Sequence, residues 1–221
     1  ARSPRPIQPG SDWGSAMPPG ASPRPPAATI ATSTVSMVSR LRSGLATATE
    51  VLARDGYRGT SLRSIARALD LEPAHILYYF DSREDLLQKV IERWDVEALG
   101  GDVNPDPATT LDLYAQALRR NLEIPGLVHL YLIFAAESAQ ADHPSHDFFR
   151  DRFERVRLTL ATAISYEQDA GLIDPAVDAD RAARILIAVA DGVQLQALVN
   201  PAVDAPADLA AAIAQLRGRD V

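Results

Sequence analysis

The sequence predicts an all-α protein: an N-terminal three-helix head containing a helix-turn-helix, followed by a larger C-terminal helical domain. Three observations predict this. Apolar residues recur at spacings of three and four through most of residues 39–217, the period of helices packed on one face. No stretch of strand length alternates apolar with polar residues. Thr60 to Leu87, TSLRSIARALDLEPAHILYYFDSREDLL, reads as two short helices joined by a tight turn, with a capped third following at once.

The N-terminus stands apart by composition. Residues 1–36 hold eight of the sixteen prolines, interspersed with Gly and Ser. Such a segment buries too little apolar surface to offset its ordering entropy, so residues 1–37 are expected to be a disordered tail. The head is expected over 38–82 and the larger domain over 83–221. The first helix is expected over 39–55, with Leu41, Leu45, Ala48 and Leu52 on one face and Gly56 at its end.

The second helix begins at Thr60 or Ser61, either of which can accept a bond from an orphan backbone N–H. Leu62, Ile65, Ala66 and Leu69 share one face of it, and Ala66 is small where another helix must cross. Asp70 occupies the turn, a position where Asp tolerates left-handed backbone better than most residues. Glu72 can cap the third helix, and Pro73 suits its first turn. Ile76 and Phe80 point inward, which leaves Ala74, His75, Tyr78 and Tyr79 outward. A short helix with an exposed face of this kind, set behind a tight turn, implies binding in a DNA groove. Ser82 and Asp85 then make a variant capping box for a fourth helix over 83–99. Its stripe is Leu86, Leu87, Val90, Ile91 and Trp94, and Gly100-Gly101 end it.

Leu41 to Leu87 resembles the DNA-binding domain of the tetracycline-repressor (TetR) family of bacterial transcription regulators. The matching residues are Leu52–Tyr57 (LARDGY), Thr60-Ser61, Ile65-Ala66 and Ile76–Leu86 (ILYYFDSREDL). The resemblance implies that Thr60, Tyr78, Tyr79 and Arg83 touch phosphates, and that Ala74 and His75 approach base edges. Three positions depart from the usual pattern: Glu72 for Ser, Pro73 for Lys and Leu77 for Tyr. A carboxylate near phosphate is repulsive, so the operator sequence does not follow from the resemblance.

Five further helices are expected: 108–122, 126–140, 145–170, 178–199 and 206–217. The second is apolar almost all round, as a central buried helix would be. Gly171 fits the stop of the third. Helix 178–199 carries apolar residues on two faces, Ile185, Leu186, Val189 and Val193 on one and Ile187, Leu195 and Leu198 on another. With 145–170 it is expected to form half of a four-helix homodimer interface. A dimer would set two reading heads ~34 Å apart, matching successive major grooves of a palindromic double-stranded DNA operator. The resemblance also implies a small-molecule effector pocket inside the C-terminal helices. Side chains with a polar tip on an apolar body there are Trp94, Tyr114, His129, Tyr131, Glu137 and Tyr166, with Phe134 as an aromatic wall. An apolar, aromatic interior favours a small hydrophobic ligand.

Composition narrows the alternatives. The net charge of −7 is unevenly placed: residues 1–37 and 38–83 each carry +2, and 84–221 carry −11. The acid therefore lies away from the expected DNA face, where the local field matters more than the total. With no cysteine, neither a disulfide framework nor a Cys-based metal site is expected. No cofactor is expected. His143 and His146 have H-x-x-H spacing, but no third ligand stands at helical spacing. A Gly-rich phosphate loop and a G-x-S-x-G elbow are both missing, so an enzyme is not expected. No apolar run is expected to span a membrane, and the chain is expected to be cytoplasmic. The reading is a ligand-responsive transcription regulator, a repressor released by its effector. The alternative is an all-α ligand-binding or adaptor protein whose helical hairpin has lost DNA binding.

Overall fold

The computed structural model describes residues 61–68, 80–98, 105–124 and 126–219. Among them are seven α-helices and no strand: α1 (Leu62–Ala68), α2 (Arg83–Ala98), α3 (Pro107–Glu123), α4 (Leu127–Glu137), α5 (His146–Asp169), α6 (Ala179–Val199) and α7 (Ala205–Leu216). All belong to one compact unit, Val38–Val221. The expected tail, the expected helix 39–55, and Thr60, Ala74, His75, Tyr78 and Tyr79 lie outside the described residues.

Local sequence sets most helix ends. Ser61 caps α1: its hydroxyl accepts from the Ser64 N–H at 3.1 Å, and the Ser64 hydroxyl accepts from the Ser61 N–H at 2.8 Å. This is a reciprocal box with serine where Glu is usual. At α2 the Ser82 hydroxyl accepts from the Asp85 N–H at 3.0 Å. The Asp85 carboxylate accepts from the Asp81 N–H at 3.3 Å, one residue before the cap. Asp106, Asp178 and Asp204 cap α3, α6 and α7 with their side chains. Helix α5 ends on Gly171 at φ +73°. The Leu172 N–H donates to Glu167 O and the Gly171 N–H to Gln168 O, the paired bonds of a left-handed glycine stop.

The larger core is built by α3, α5, α6 and α7 around Leu111, Leu118, Leu160, Ile164, Leu186, Leu209 and Ile213. Each such side chain removed from water contributes on the order of 1.5–3 kcal/mol. Small residues let the helices approach: Ala163, Ala183 and Ala205 are wholly buried. A polar lock sits among them. Glu167 on α5, 1% exposed, accepts from Arg217 Nε and Nη2 at 2.7 and 2.5 Å, and Arg217 Nη1 donates to Asp112 of α3 at 2.9 Å. One guanidinium thus ties the end of α7 to α5 and α3.

Three expectations are revised. Helix α4 is not buried all round: Leu127, Val128, Leu130 and Phe134 are buried, whereas His129 is exposed. On α6 the grouping of Ile185 with Leu186 fails, because adjacent residues are ~100° apart on a helix. Leu186 enters the core, Ile185 is exposed, and Ile187 turns toward an internal cavity. Helix α6, at 21 residues, is also long and apolar enough to cross a membrane by length and composition, contrary to the expectation for apolar runs. Here it packs between α5 and α7.

The loop before α5 is held by its histidines. His143 Nδ1 lies 3.2 Å from the Ser138 hydroxyl and accepts from the Ser145 N–H at 3.1 Å; His146 Nδ1 lies 3.0 Å from Ser138 O. Both rings are engaged with their own loop. Among the described residues no group of His, Cys, Asp and Glu is placed to hold a metal.

Candidate ligand site

A cavity of about 170 Å³ lies among α2, α3, α4, α5 and α6. Its walls are mostly apolar, including Ile91, Val96, Leu118, Val128, Val156 and Ile187, with Trp94, Tyr114, Tyr131 and Phe153 as aromatic surface. Of the residues named from sequence, Trp94, Tyr114 and Tyr131 line it. The other four stand elsewhere. Phe134 is fully buried in an aromatic cluster, 5.1 Å centroid to centroid from Phe149. His129 is exposed, Tyr166 is 48% exposed, and Glu137 is part-buried outside the lining.

Side chains not singled out from sequence form the polar centre of the cavity. Arg152 of α5 donates through Nε and Nη2 to Asp95 of α2 at 2.9 and 2.7 Å. Its Nη1 donates to the Tyr131 hydroxyl of α4 at 3.1 Å, and its guanidinium carbon sits 4.8 Å from the centroid of that ring. The Tyr131 hydroxyl in turn donates to Asp191 of α6 at 3.5 Å. One chain of contacts, Asp95–Arg152–Tyr131–Asp191, therefore crosses four helices. It begins on α2, whose first residue, Arg83, belongs to the expected DNA-binding set. Arg83 itself pairs with Glu84 at 2.6 Å.

Burial sets the protonation states. It pushes the Tyr114 and Tyr131 phenols well above the ordinary tyrosine range, so both stay neutral donors. Burial opposes charge on Arg152, but Tyr131 and Asp95 outweigh it and hold the guanidinium firmly protonated. Burial raises Asp191, against the pull of Arg152 and the Tyr131 hydrogen bond. The Trp94 indole N–H is buried without a hydrogen-bond partner among the described residues. A cue to Asp191 was present in the sequence, as a lone acid inside a strongly apolar helix. Asp95 and Arg152 have no such cue: each sits among charged neighbours typical of a solvated face.

Residues 45–90 match the family described as bacterial regulatory proteins, tetR family, and residues 111–217 match the BetI-type transcriptional repressor C-terminal family. The chain belongs to the TetR family of bacterial transcription regulators. A solved TetR regulator from Haloarcula marismortui is similar at 26% identity, covering 81% of this chain and 96% of its own, with TM-score 0.61. A TetR-family regulator from Rhodococcus sp. is 22% identical over 81% of this chain and 99% of its own, with TM-score 0.63. AibR, solved with isovaleryl coenzyme A and operator DNA, is 20% identical over 82% of this chain and 100% of its own, with TM-score 0.55. The last two likenesses concern the fold. No curated protein matches the sequence. As a TetR-family member this chain is a ligand-responsive, DNA-binding transcription regulator with an all-α fold.

Proposed function

We propose that this TetR-family regulator is a homodimeric repressor, released from a palindromic operator when a small, largely apolar effector fills the cavity behind α2. The Asp95–Arg152 link carries the reading. It joins α2, the helix that follows the DNA-binding segment, to α5 across the space an effector would occupy. An effector that draws on Arg152, Tyr131 or Asp191 changes the tie on α2 and so the position of the head. Trp94, Tyr114 and Tyr131 would contact it, together with Arg152 and Asp191. The coupling is reciprocal, so operator DNA must weaken effector binding by the same factor.

DNA contact is assigned to Thr60, Ala74, His75, Tyr78, Tyr79 and Arg83. Dimerisation is supported by an apolar strip on α6: Ile185, Leu195 and Val199 are 55%, 53% and 81% exposed. Ala188 and Gly192 lie between them at helical spacing, and a Cβ on Gly192 would meet nothing within 4 Å. Leu158 and Tyr166 continue exposed apolar surface on α5. A contiguous face of this kind fits a second copy of the same helix pair.

The test is selection of genomic DNA by the full-length protein at a stated salt concentration. A palindrome with two half-sites is expected, and the Tyr78→Ala/Arg83→Ala double variant should lose it. Recovery of no sequence, or undiminished binding by the double variant, would overturn this reading in favour of an adaptor role.

A further inference from the structure

One carboxylate in the cavity lining stands apart from the cations there, and that placement specifies a ligand. The lining carries two carboxylates, Asp95 and Asp191, and two guanidiniums, Arg152 and Arg155. Arg152 is committed to Asp95 through two short bonds. Arg155, 53% exposed, adds a second cation on the same carboxylate at 3.6 Å. Asp191 has no cation within ion-pair distance among the described residues; its side-chain partner is the Tyr131 hydroxyl at 3.5 Å. A part-buried carboxylate with one long hydrogen bond is costly to keep charged, and its raised pKa agrees. The rings of Trp94, Tyr114, Tyr131 and Phe153 share the cavity with it, and aromatic faces attract cations most strongly where water is excluded. An anion would find the opposite. To pair with Arg152 it would have to displace Asp95, and it would share the cavity with two carboxylates.

We infer that the effector is a small, largely apolar organic molecule carrying one positive charge, which pairs with Asp191 while its apolar body lies against Trp94 and Tyr114. A cavity of ~150 Å³ admits benzene, so at about 170 Å³ this one suits a single-ring compound. The inference rests on the proposal that this cavity is the effector site.

The test uses three probes with one carbon skeleton, differing only in charge: phenylpropylamine, phenylpropanol and phenylpropanoate. Calorimetric titration of the full-length protein near neutral pH should show the amine binding at least about tenfold tighter than the alcohol, a difference of ~1.4 kcal/mol. The carboxylate should bind weakest. Asp191→Asn should remove the amine's advantage over the alcohol. Its melting temperature should be no lower than that of the parent, since the substitution removes a part-buried charge with no ion-pair partner among the described residues. Equal binding of amine and alcohol, preference for the carboxylate, no binding by any probe, or an amine advantage that survives in Asp191→Asn would overturn the inference. Operator affinity is measured on the same samples. An Asp191-dependent amine preference without any change in operator affinity would support the ligand class and refute release.

Discussion

Replacing Arg152 with Met removes the centre of the cavity's polar chain while keeping the length of the side chain. Four interactions disappear: two bonds to Asp95, one to the Tyr131 hydroxyl, and the cation over the Tyr131 ring. Breaking a fully buried pair costs about 3–5 kcal/mol, because the remaining charge is stranded. An exposed pair is worth less than about 1 kcal/mol. The Arg152 and Asp95 side chains are 15% and 23% exposed, and Arg155 stays 3.6 Å from Asp95 as a substitute partner. An intermediate loss of about 2–3 kcal/mol follows. For a chain of this size that lowers the melting temperature by roughly 4–12 °C. Urea unfolding at fixed protein concentration should show the loss in the midpoint with an unchanged slope. A cycle with Asp95→Asn should give a coupling of about 1–2 kcal/mol. Operator affinity without effector should also fall, since α2 has lost its tie to α5. Additive effects in the cycle would refute the energetic argument. Normal stability loss with unchanged operator affinity would remove the link from the proposed coupling.

Arg217→Met should cost more than Arg152→Met, about 3–5 kcal/mol, because Glu167 is left with a side chain 2% exposed and no substitute cation among the described residues; adding Glu167→Gln should restore much of the midpoint in urea, and a double variant no better than the single would argue against a stranded charge. Leu195→Glu places a charge in the exposed strip on α6 and should convert dimer to monomer in sedimentation velocity; a persistent dimer would place the interface elsewhere. Asp191 interacts with Tyr131 of α4 and Arg152 of α5 and shares the cavity with Asp95 of α2 and Tyr114 of α3, and burial raises its folded pKa. The folded state therefore holds that proton more tightly, and this contribution to stability is lost as pH rises from the unfolded value near ~4 through the folded one. Asp191→Asn should flatten that part of the pH–stability curve; an unchanged slope would show that Asp191 carries no such penalty.

The helical order of the C-terminal domain was legible in the chain, because it depends on local chemistry. Caps at Asp106, Asp178 and Asp204, the stop at Gly171 and the apolar stripes each act within a turn or two of helix. The family was legible for a similar reason: its most specific residues, Ile76 to Leu86, are contiguous. Trp94, Tyr114 and Tyr131 could be named as cavity candidates since a polar tip on an apolar body marks a residue that reaches between helices. His129 and Tyr166 carry the same mark and stand at the surface, because helix rotation rather than residue type decides which way a side chain turns.

Tertiary packing alone decided the rest. Asp95 and Arg152 are separated by 57 residues and sit among charges that read as solvated, yet they meet over the cavity. Asp191 shows in sequence as an acid in an apolar helix, but only the surrounding helices reveal that, among the described residues, no cation lies within ion-pair distance of it. Glu167 and Arg217 give no local sign of being a buried pair. Periodicity reports how much of a helix is apolar and where it begins and ends. Which charges are paired, and which is left for a ligand, depends on distances between helices that no spacing along the chain encodes.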